Sequence, residues 1–168
     1  MAAWIIHITI IKDNLLYLII MIWKPHVTVA ALIENEGRFL LVQELISGRS
    51  VYNQPAGHLE DGETLIEAVI RETREETAWE FEPETLIGIY QWRHPEKEKT
   101  FIRATFAGKG LRHDPYSELD TSIERTLWLT PDEIRHRHDR LRSPMVLRSI
   151  EDYLAGCRYP LTLLSDLG

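Results

Sequence analysis

Three glutamates near the middle of the chain have the spacing of a cation site. Glu72, Glu75 and Glu76 stand three and four positions apart, so on an α-helix they are neighbours. Like charges at this spacing destabilise a helix, and the surrounding segment 57–79 holds seven acidic residues and only two arginines. Carboxylate oxygens suit hard cations such as Mg²⁺, which share their coordination shell with substrate phosphates. The pattern indicates either a metal site for phosphoryl chemistry or a solvated acidic surface.

A helix over residues 64–77 is predicted to position these carboxylates. Thr64 and Glu67 have the spacing of a capping box, which marks the helix start. At 100° per residue the three glutamates share one arc with the small Ala68. The adjoining arc carries the residues expected to pack against a sheet, which are Leu65, Ile66, Val69, Ile70 and Thr73.

The rest of the chain alternates strands with a few helices. Alternating, β-branched segments predict strands at 25–32, 38–44, 86–92, 100–107 and 125–129. Segments 46–51 and 109–120 are predicted to be loops. Thr130 and Ser143 are predicted to cap two further helices, the second ending at Gly156. The absence of a repeat or linker predicts a single α/β domain, in which helices cover a mixed sheet.

The composition excludes several classes of function. The net charge of the 168 residues is −7, which disfavours a nucleic-acid polymer as partner. The single cysteine excludes an intrachain disulfide and a cysteine-based zinc site, and it fits a reducing, cytoplasmic location. No heptad pattern predicts a coiled coil, and the sequence makes no prediction of oligomeric state.

The first twenty residues are largely apolar, but no membrane segment is predicted there. Lys12 and Asp13 interrupt the stretch, and such a charge at the bilayer centre costs about 2.5–3.5 kcal/mol. A basic segment and a cleavage site, as in a signal peptide, are both missing. The stretch is either a β-hairpin turning at residues 12–14 or a start-site artefact. The second is favoured, because a regular strand pattern begins right after Met21, which gives a domain over 21–168.

The acidic helix is part of a longer pattern. Gly57 is followed after five residues by Glu63, and after seven more by the sequence RETREE at residues 71–76. This pattern resembles the Nudix box. Segments outside the box also resemble a phosphatase branch of that family, at residues 24–33, 53–60, 91–92, 141–144 and 158–161. The resemblance implies a Nudix α/β/α sandwich.

The resemblance also implies a role for each residue of the box. Glu72 and Glu76 would bind Mg²⁺, with Mn²⁺ as an alternative, and the Gly57 carbonyl would be a further ligand. Glu75 would bind a metal or act as the base on water. A second candidate base is Glu124.

Two further features of the box are structural. Glu63 and Arg71 are expected to pair and so hold the loop against the helix. The box departs from its usual pattern at Ala78, where a glycine is common. We expect a helix end with positive φ at this position, at a cost of about 1 kcal/mol for alanine.

Three residues outside the acidic helix are candidates for substrate binding. Trp92 would stack on a ring of the substrate, or else only pack at the edge of the core. Arg103 would bind a substrate phosphate, or else form a salt bridge with the acidic helix. His58 follows the box glycine and would contact the substrate, or else be a loop histidine with its hydrogen bonds satisfied. The resemblance implies small phosphorylated substrates. These are nucleoside tri- or diphosphates, or a pyrimidine diphosphate precursor of thiamine, with release of inorganic phosphate. Alternatives are pyrophosphate or nucleoside monophosphate release from nucleoside diphosphate derivatives, and a non-catalytic binding module with the same fold.

Overall fold

Two short strands pair near the start of the chain. The structure is a computed structural model that describes residues 5–10, 16–21 and 23–167, with side chains for the last range. β1 (Ile5–Ile10) pairs antiparallel with β2 (Leu16–Met21). This pairing agrees with the hairpin interpretation, whereas the turn expected at residues 12–14 lies outside the described residues. The domain start at Met21 stays a prediction.

A mixed sheet forms the centre of the molecule. Its strands are β3 (His26–Asn35), β4 (Arg38–Ile46), β5 (Arg49–Asn53), β6 (Ala56–His58), β7 (Trp79–Arg93), β8 (Thr100–His113), β9 (Ile123–Leu129) and β10 (Tyr159–Pro160). Along the sheet they follow the order β10-β7-β8-β3-β4-β5, while β6 also pairs with β3 and β9 with β4. β3 and β8 run parallel, and the other neighbours are antiparallel.

β3 exchanges one neighbour for another along its length. Near the turn at Gly37 it pairs with β4 through Glu34 opposite Phe39 and Asn35 opposite Arg38. Towards its start the same strand pairs with β6, which places Gly57 opposite Val29. The loop that carries the box glycine is thereby fixed to the central strand.

Helices cover both faces of this sheet. α1 (Leu65–Thr77) packs on one face, where its Val69 joins Val29 and Ala31 of β3. α2 (Pro131–Arg135) and α3 (Pro144–Leu154) cover the other face, where Val146 joins Leu32. Alternate residues of β3 therefore serve opposite layers, and the predicted α/β/α sandwich is confirmed. In the described part of the chain, no helix has the length and apolar character needed to cross a membrane.

Both predicted loops were wrong in their extent. Segment 46–51 is a tight hairpin, in which β4 turns into β5 at Ser47 and Gly48 with positive φ angles of 49° and 77°. The segment from residue 109 continues β8 as far as His113, because its backbone pairs antiparallel with β7; exposed ion pairs such as Lys109 with Glu84 accompany this pairing. Exposed paired strands can be polar throughout, so composition alone suggested a loop.

Candidate functional site

The acidic helix begins and ends as its sequence predicts. The Thr64 hydroxyl accepts the Glu67 N–H at 3.1 Å, and the Glu67 carboxylate accepts the Thr64 N–H at 2.8 Å. This reciprocal capping box starts α1. At the other end Ala78 has φ 58° and ψ 16°, and its N–H bonds to the Arg74 carbonyl. The expected left-handed helix end is confirmed, and it is unfavourable here because alanine has a Cβ.

The buried face of α1 is rotated from the face predicted by the helical wheel. Ile70, predicted to pack, is 37% exposed, whereas Glu76 is only 6% exposed. Thr73 and Thr77 are fully buried and donate their hydroxyls to carbonyls one turn earlier. Because these hydroxyls are satisfied within the helix, the polar side of α1 can face the interior. Glu76 is thereby carried inward.

Glu72 lies directly against the strand that carries the box glycine. A Cβ built on Gly57 would lie 2.0 Å from the Cδ atom of Glu72. No side chain fits at that distance, so only glycine allows the carboxylate its position. Burial raises the pKa of Glu72, against the hydrogen bond from Arg71.

Glu76 is the most buried carboxylate of the helix. Its Oε2 accepts the Ala56 N–H at 2.8 Å, which ties α1 to the start of β6. Burial raises the pKa of Glu76 to about 9, and the nearby Glu44, Glu72 and Asp120 carboxylates add to the effect. A carboxylate in such surroundings is costly to ionise unless a cation lies beside it.

Arg71 joins the box loop to the helix. Its Nε and Nη2 atoms donate to both oxygens of Glu63, at 3.0 and 2.6 Å, and Nη2 also bonds to the His58 carbonyl. Its Nη1 donates to Glu72 at 2.8 Å and to Glu75 at 3.1 Å. These hydrogen bonds lower the pKa of Glu63 and raise that of Arg71. One guanidinium thus orients the loop and two carboxylates together.

A cavity of about 460 Å³ opens beside this end of the helix. Glu72 and Glu76 line one side, and Arg103, Trp92 and His58 also line it, so five predicted site residues meet here together with Gly57. Further charged residues line the cavity, namely Glu44, Glu60, Lys97, Lys99, Asp120 and Arg142. Acidic and cationic side chains thus line the same cavity, which suits a substrate that contacts both a metal ion and cationic side chains.

Two predicted site residues do not line this cavity. The Glu75 side chain is half exposed and lies in a neighbouring groove with Arg74. Glu124 is exposed on β9, where it accepts hydrogen bonds from the Ser50 hydroxyl and the Gln43 amide, both at 2.7 Å. These two hydrogen bonds lower the pKa of Glu124.

An aromatic row runs along the cavity wall. The Trp92 ring stacks with Phe101 at 5.8 Å and 27°, and Phe101 stacks with His26 at 5.0 Å and 26°. His58 meets His26 edge-on at 5.4 Å. A planar heterocycle can lie against such a row.

Several cavity residues were not predicted from the sequence, although the position of Glu44 in its strand could have indicated it. Glu44 continues the inward alternation of Leu40 and Val42 on β4, and it is 7% exposed. A charged residue in the apolar alternation of a strand indicates a buried polar site. Asp120 and Arg142 lie in irregular segments without a periodic pattern, so they gave no such signal.

The residues at the helix fit a hard divalent cation. Glu72 and Glu76 offer carboxylate oxygens at one cavity wall, and Mg²⁺ is commonly bound by one or two carboxylates together with water and substrate phosphates. Within residues 23–167, no group of three or more acidic, histidine or cysteine side chains is placed to hold a metal ion. Two carboxylates at a cavity wall suit an ion shared with a substrate phosphate.

Three comparisons with known proteins each find similarity to Nudix proteins. The NUDIX domain model matches residues 24–148. Phosphatase NudJ of Shigella boydii serotype 4 is 44% identical over 144 residues, covering 86% of this chain and 93% of that protein. The NudJ of Escherichia coli K12 matches with the same identity and coverage. A NUDIX hydrolase structure from Nitrosomonas europaea has a TM-score of 0.84 and 49% identity, over 85% of this chain and 97% of that one.

Proposed function

Because this chain belongs to the Nudix hydrolase family, we propose that it releases inorganic phosphate from small diphosphate and triphosphate compounds. Family membership makes the chain a hydrolase that acts on small phosphorylated substrates such as nucleoside diphosphate derivatives. The proposed substrates are nucleoside tri- and diphosphates and the pyrimidine diphosphate precursor of thiamine. The phosphatase name of its 44% identical relatives supports phosphate as the product.

One observation carries this proposal. The contact of Glu72 with Gly57 and the hydrogen bond of Glu76 to Ala56 hold two carboxylates at one wall of a cavity. Arg103 and the Trp92 ring line the same cavity. A phosphate chain needs cationic partners, and an attached heterocycle needs an aromatic surface, so one substrate of this class can use the whole cavity.

Glu72 and Glu76 would hold a divalent cation, Mg²⁺ or Mn²⁺, with the Gly57 carbonyl as a further ligand. Such an ion neutralises phosphate charge and lowers the pKa of a bound water. Glu75 keeps its proposed role as ligand or base, because Arg71 Nη1 joins its carboxylate to that of Glu72. Glu124 is left out of the proposed site because its carboxylate is held by Ser50 and Gln43.

The surrounding residues hold these groups in place. Arg71 orients Glu72 and, through Glu63, fixes the loop that precedes the helix. Arg103 is buried beside Asn53, to which its Nη1 donates at 3.3 Å, so its charge is available at a fixed position in the cavity. Trp92 would align the ring of the substrate and leave its phosphates towards Glu72 and Glu76.

The test is a product assay on a substrate panel. Purified protein with Mg²⁺ is incubated with nucleoside tri- and diphosphates, the pyrimidine diphosphate and nucleoside diphosphate sugars, and phosphate and pyrophosphate are measured separately. We expect phosphate as the product and loss of turnover on adding EDTA. Pyrophosphate or nucleoside monophosphate as the main product would instead support attack at an internal phosphorus.

Two variants connect this activity to the helix. Glu72→Gln removes one carboxylate charge from the cavity wall, and we expect a loss of about 100-fold or more in kcat/KM. Glu151→Gln makes the same change on the exposed surface of α3 and should leave kcat/KM within about twofold. Equal activity of both variants would refute the metal assignment, and no turnover by the unmodified protein would support a binding module.

A further inference from the structure

A segment beside the cavity has no role in the function proposed so far. Residues 141–144, sequence LRSP, precede α3, and the Arg142 N–H bonds to the Tyr52 carbonyl at 2.8 Å. Leu141 also forms a β-bridge with Tyr52. The backbone of this segment is thus fixed to β5, and both Arg142 and Ser143 line the cavity.

Three buried side-chain atoms that line the cavity have no hydrogen-bond partner within residues 23–167. One is an acceptor, Glu44 Oε1. The other two are donors, the Nε atom of Arg103, a residue that is 6% exposed, and the hydroxyl of Ser143, which is 5% exposed. An unpaired buried donor is costly, and the cost is greater for a charged one. Both residues line the cavity, so a ligand there can supply the missing acceptor.

The start of α3 adds partial positive charge at the same position. α3 has 11 residues and begins after Ser143, whose hydroxyl makes no capping hydrogen bond. A helix start attracts anions through its free N–H groups and its dipole. Because Ser143 does not cap the helix, its hydroxyl is free to bond to a ligand.

Arg142 is held loosely in the structure. Its Nε lies 3.6 Å from Glu44 Oε2, which is longer than a hydrogen bond, and its side chain is 34% exposed. A phosphate carries more charge than a carboxylate and has several acceptor oxygens, so it can replace Glu44 as the partner of the Arg142 guanidinium.

We propose that Arg103, Arg142 and Ser143 form an anion subsite that binds a substrate phosphate beyond those held at Glu72 and Glu76. The placement of the substrate rests on the proposed function, but the anion binding does not require turnover. A subsite for an extra phosphate favours a triphosphate over a diphosphate. This segment therefore sets the preferred length of the phosphate chain.

The test measures binding of two analogues that resist hydrolysis. A nucleoside triphosphate with methylene bridges at both the α,β and the β,γ positions and the α,β-methylene diphosphate of the same nucleoside are titrated calorimetrically in Mg²⁺. We expect Arg142→Ala to raise the Kd of the triphosphate analogue by roughly 10- to 100-fold and Ser143→Ala by roughly 2- to 10-fold. Both substitutions should raise the Kd of the diphosphate analogue by much less.

The matched control is Arg140→Ala. It removes the same charge two residues away, where Arg140 stacks over the Tyr52 ring and does not line the cavity. We expect it to change either Kd by no more than about twofold. Arg103→Lys keeps the charge but not the planar donor set. It should therefore also weaken the binding of the triphosphate analogue more than that of the diphosphate analogue.

The binding measurements test the anion subsite independently of the proposal that the protein releases phosphate. An Arg142→Ala effect no larger than that of Arg140→Ala, or equal for both analogues, would overturn the subsite even in an active phosphatase. A selective effect would support it even in a protein that releases pyrophosphate. Thermal unfolding of each variant shows that the change in Kd does not come from a damaged fold.

Discussion

The carboxylate of Glu72 occupies the space beside Gly57 where a side chain would begin. A Cβ at Gly57 would lie 2.0 Å from Glu72 Cδ, while the same carboxylate accepts a hydrogen bond from Arg71 at 2.8 Å. The glycine of the box therefore leaves room for the carboxylate of Glu72, which stands fifteen positions later in the sequence. This relationship explains why the two ends of the motif need a fixed spacing.

Gly57→Ala should strongly lower activity without unfolding the protein. The new methyl group forces the end of a flexible side chain to move, so β6 is expected to keep its pairing with β3. Displacing Glu72 should lower kcat/KM by about 100-fold. Gly88→Ala is the control, since its Cβ would meet the Tyr90 hydroxyl at 2.9 Å, away from the cavity. Full activity of Gly57→Ala would show that the position of Glu72 is unimportant.

Glu76→Gln should lower activity but not stability. Glutamine keeps an oxygen for the Ala56 N–H and removes a charge that is costly to bury. We expect at least about 100-fold less phosphate release, with a melting temperature in EDTA equal to or above that of the unmodified protein. Glu76→Ala, which also leaves the Ala56 N–H unpaired, should melt lower. A Glu76→Gln variant that melts lower than Glu76→Ala would contradict this account.

Much of the fold is predictable because it follows from local patterns. The capping boxes at Thr64 and Thr130 and the alternation of β3 each determine an element through residues close in sequence. The outer halves of β7 and β8 are different, because their exposed polar residues pair across the ladder. Pairing depends on a partner strand, so neither composition nor periodicity shows it.

The candidate site was predictable where it belongs to one helix. The spacing of Glu72 and Glu76 places both on one side of α1. Their burial was not predictable, because it depends on how α1 rotates against β6 and β3. The contribution of Arg142 was not predictable either, because it reaches the cavity only through a backbone contact with Tyr52.

Ala78→Gly should stabilise the protein. Ala78 ends α1 with φ 58°, which costs a residue with a Cβ about 1–2 kcal/mol. Glycine removes this cost but gives the unfolded chain more freedom, so the expected gain is about 0.5–1 kcal/mol. In a chain of this size such a gain raises the melting temperature by roughly 1–4 °C. Activity should not change, and a lower melting temperature would show that the buried methyl group matters more than the backbone strain.

Glu124→Gln should leave catalysis intact. Glu124 is a candidate base from the sequence, but its carboxylate is exposed and bonded to Ser50 and Gln43 rather than lining the cavity. We expect kcat and its pH profile to stay within about twofold of the unmodified values, since removing a base costs roughly 100-fold or more. A large fall in kcat, with loss of the acidic limb of the pH profile, would place the base on β9 after all.

Trp92→Ala should weaken the binding of nucleotides but not that of inorganic phosphate chains. Trp92 ends the aromatic row formed with Phe101 and His26, so it would contact the ring of a substrate rather than its phosphates. Loss of one aromatic stack is worth about 0.5–1.5 kcal/mol, which predicts a rise in Kd of roughly 2- to 10-fold for a nucleoside imidotriphosphate. Inorganic imidodiphosphate should bind equally well to both proteins. Trp92→Phe keeps a flat ring and should restore most of the nucleotide affinity. An equal loss for both ligands would mean that Trp92 supports the shape of the cavity instead of contacting the ring.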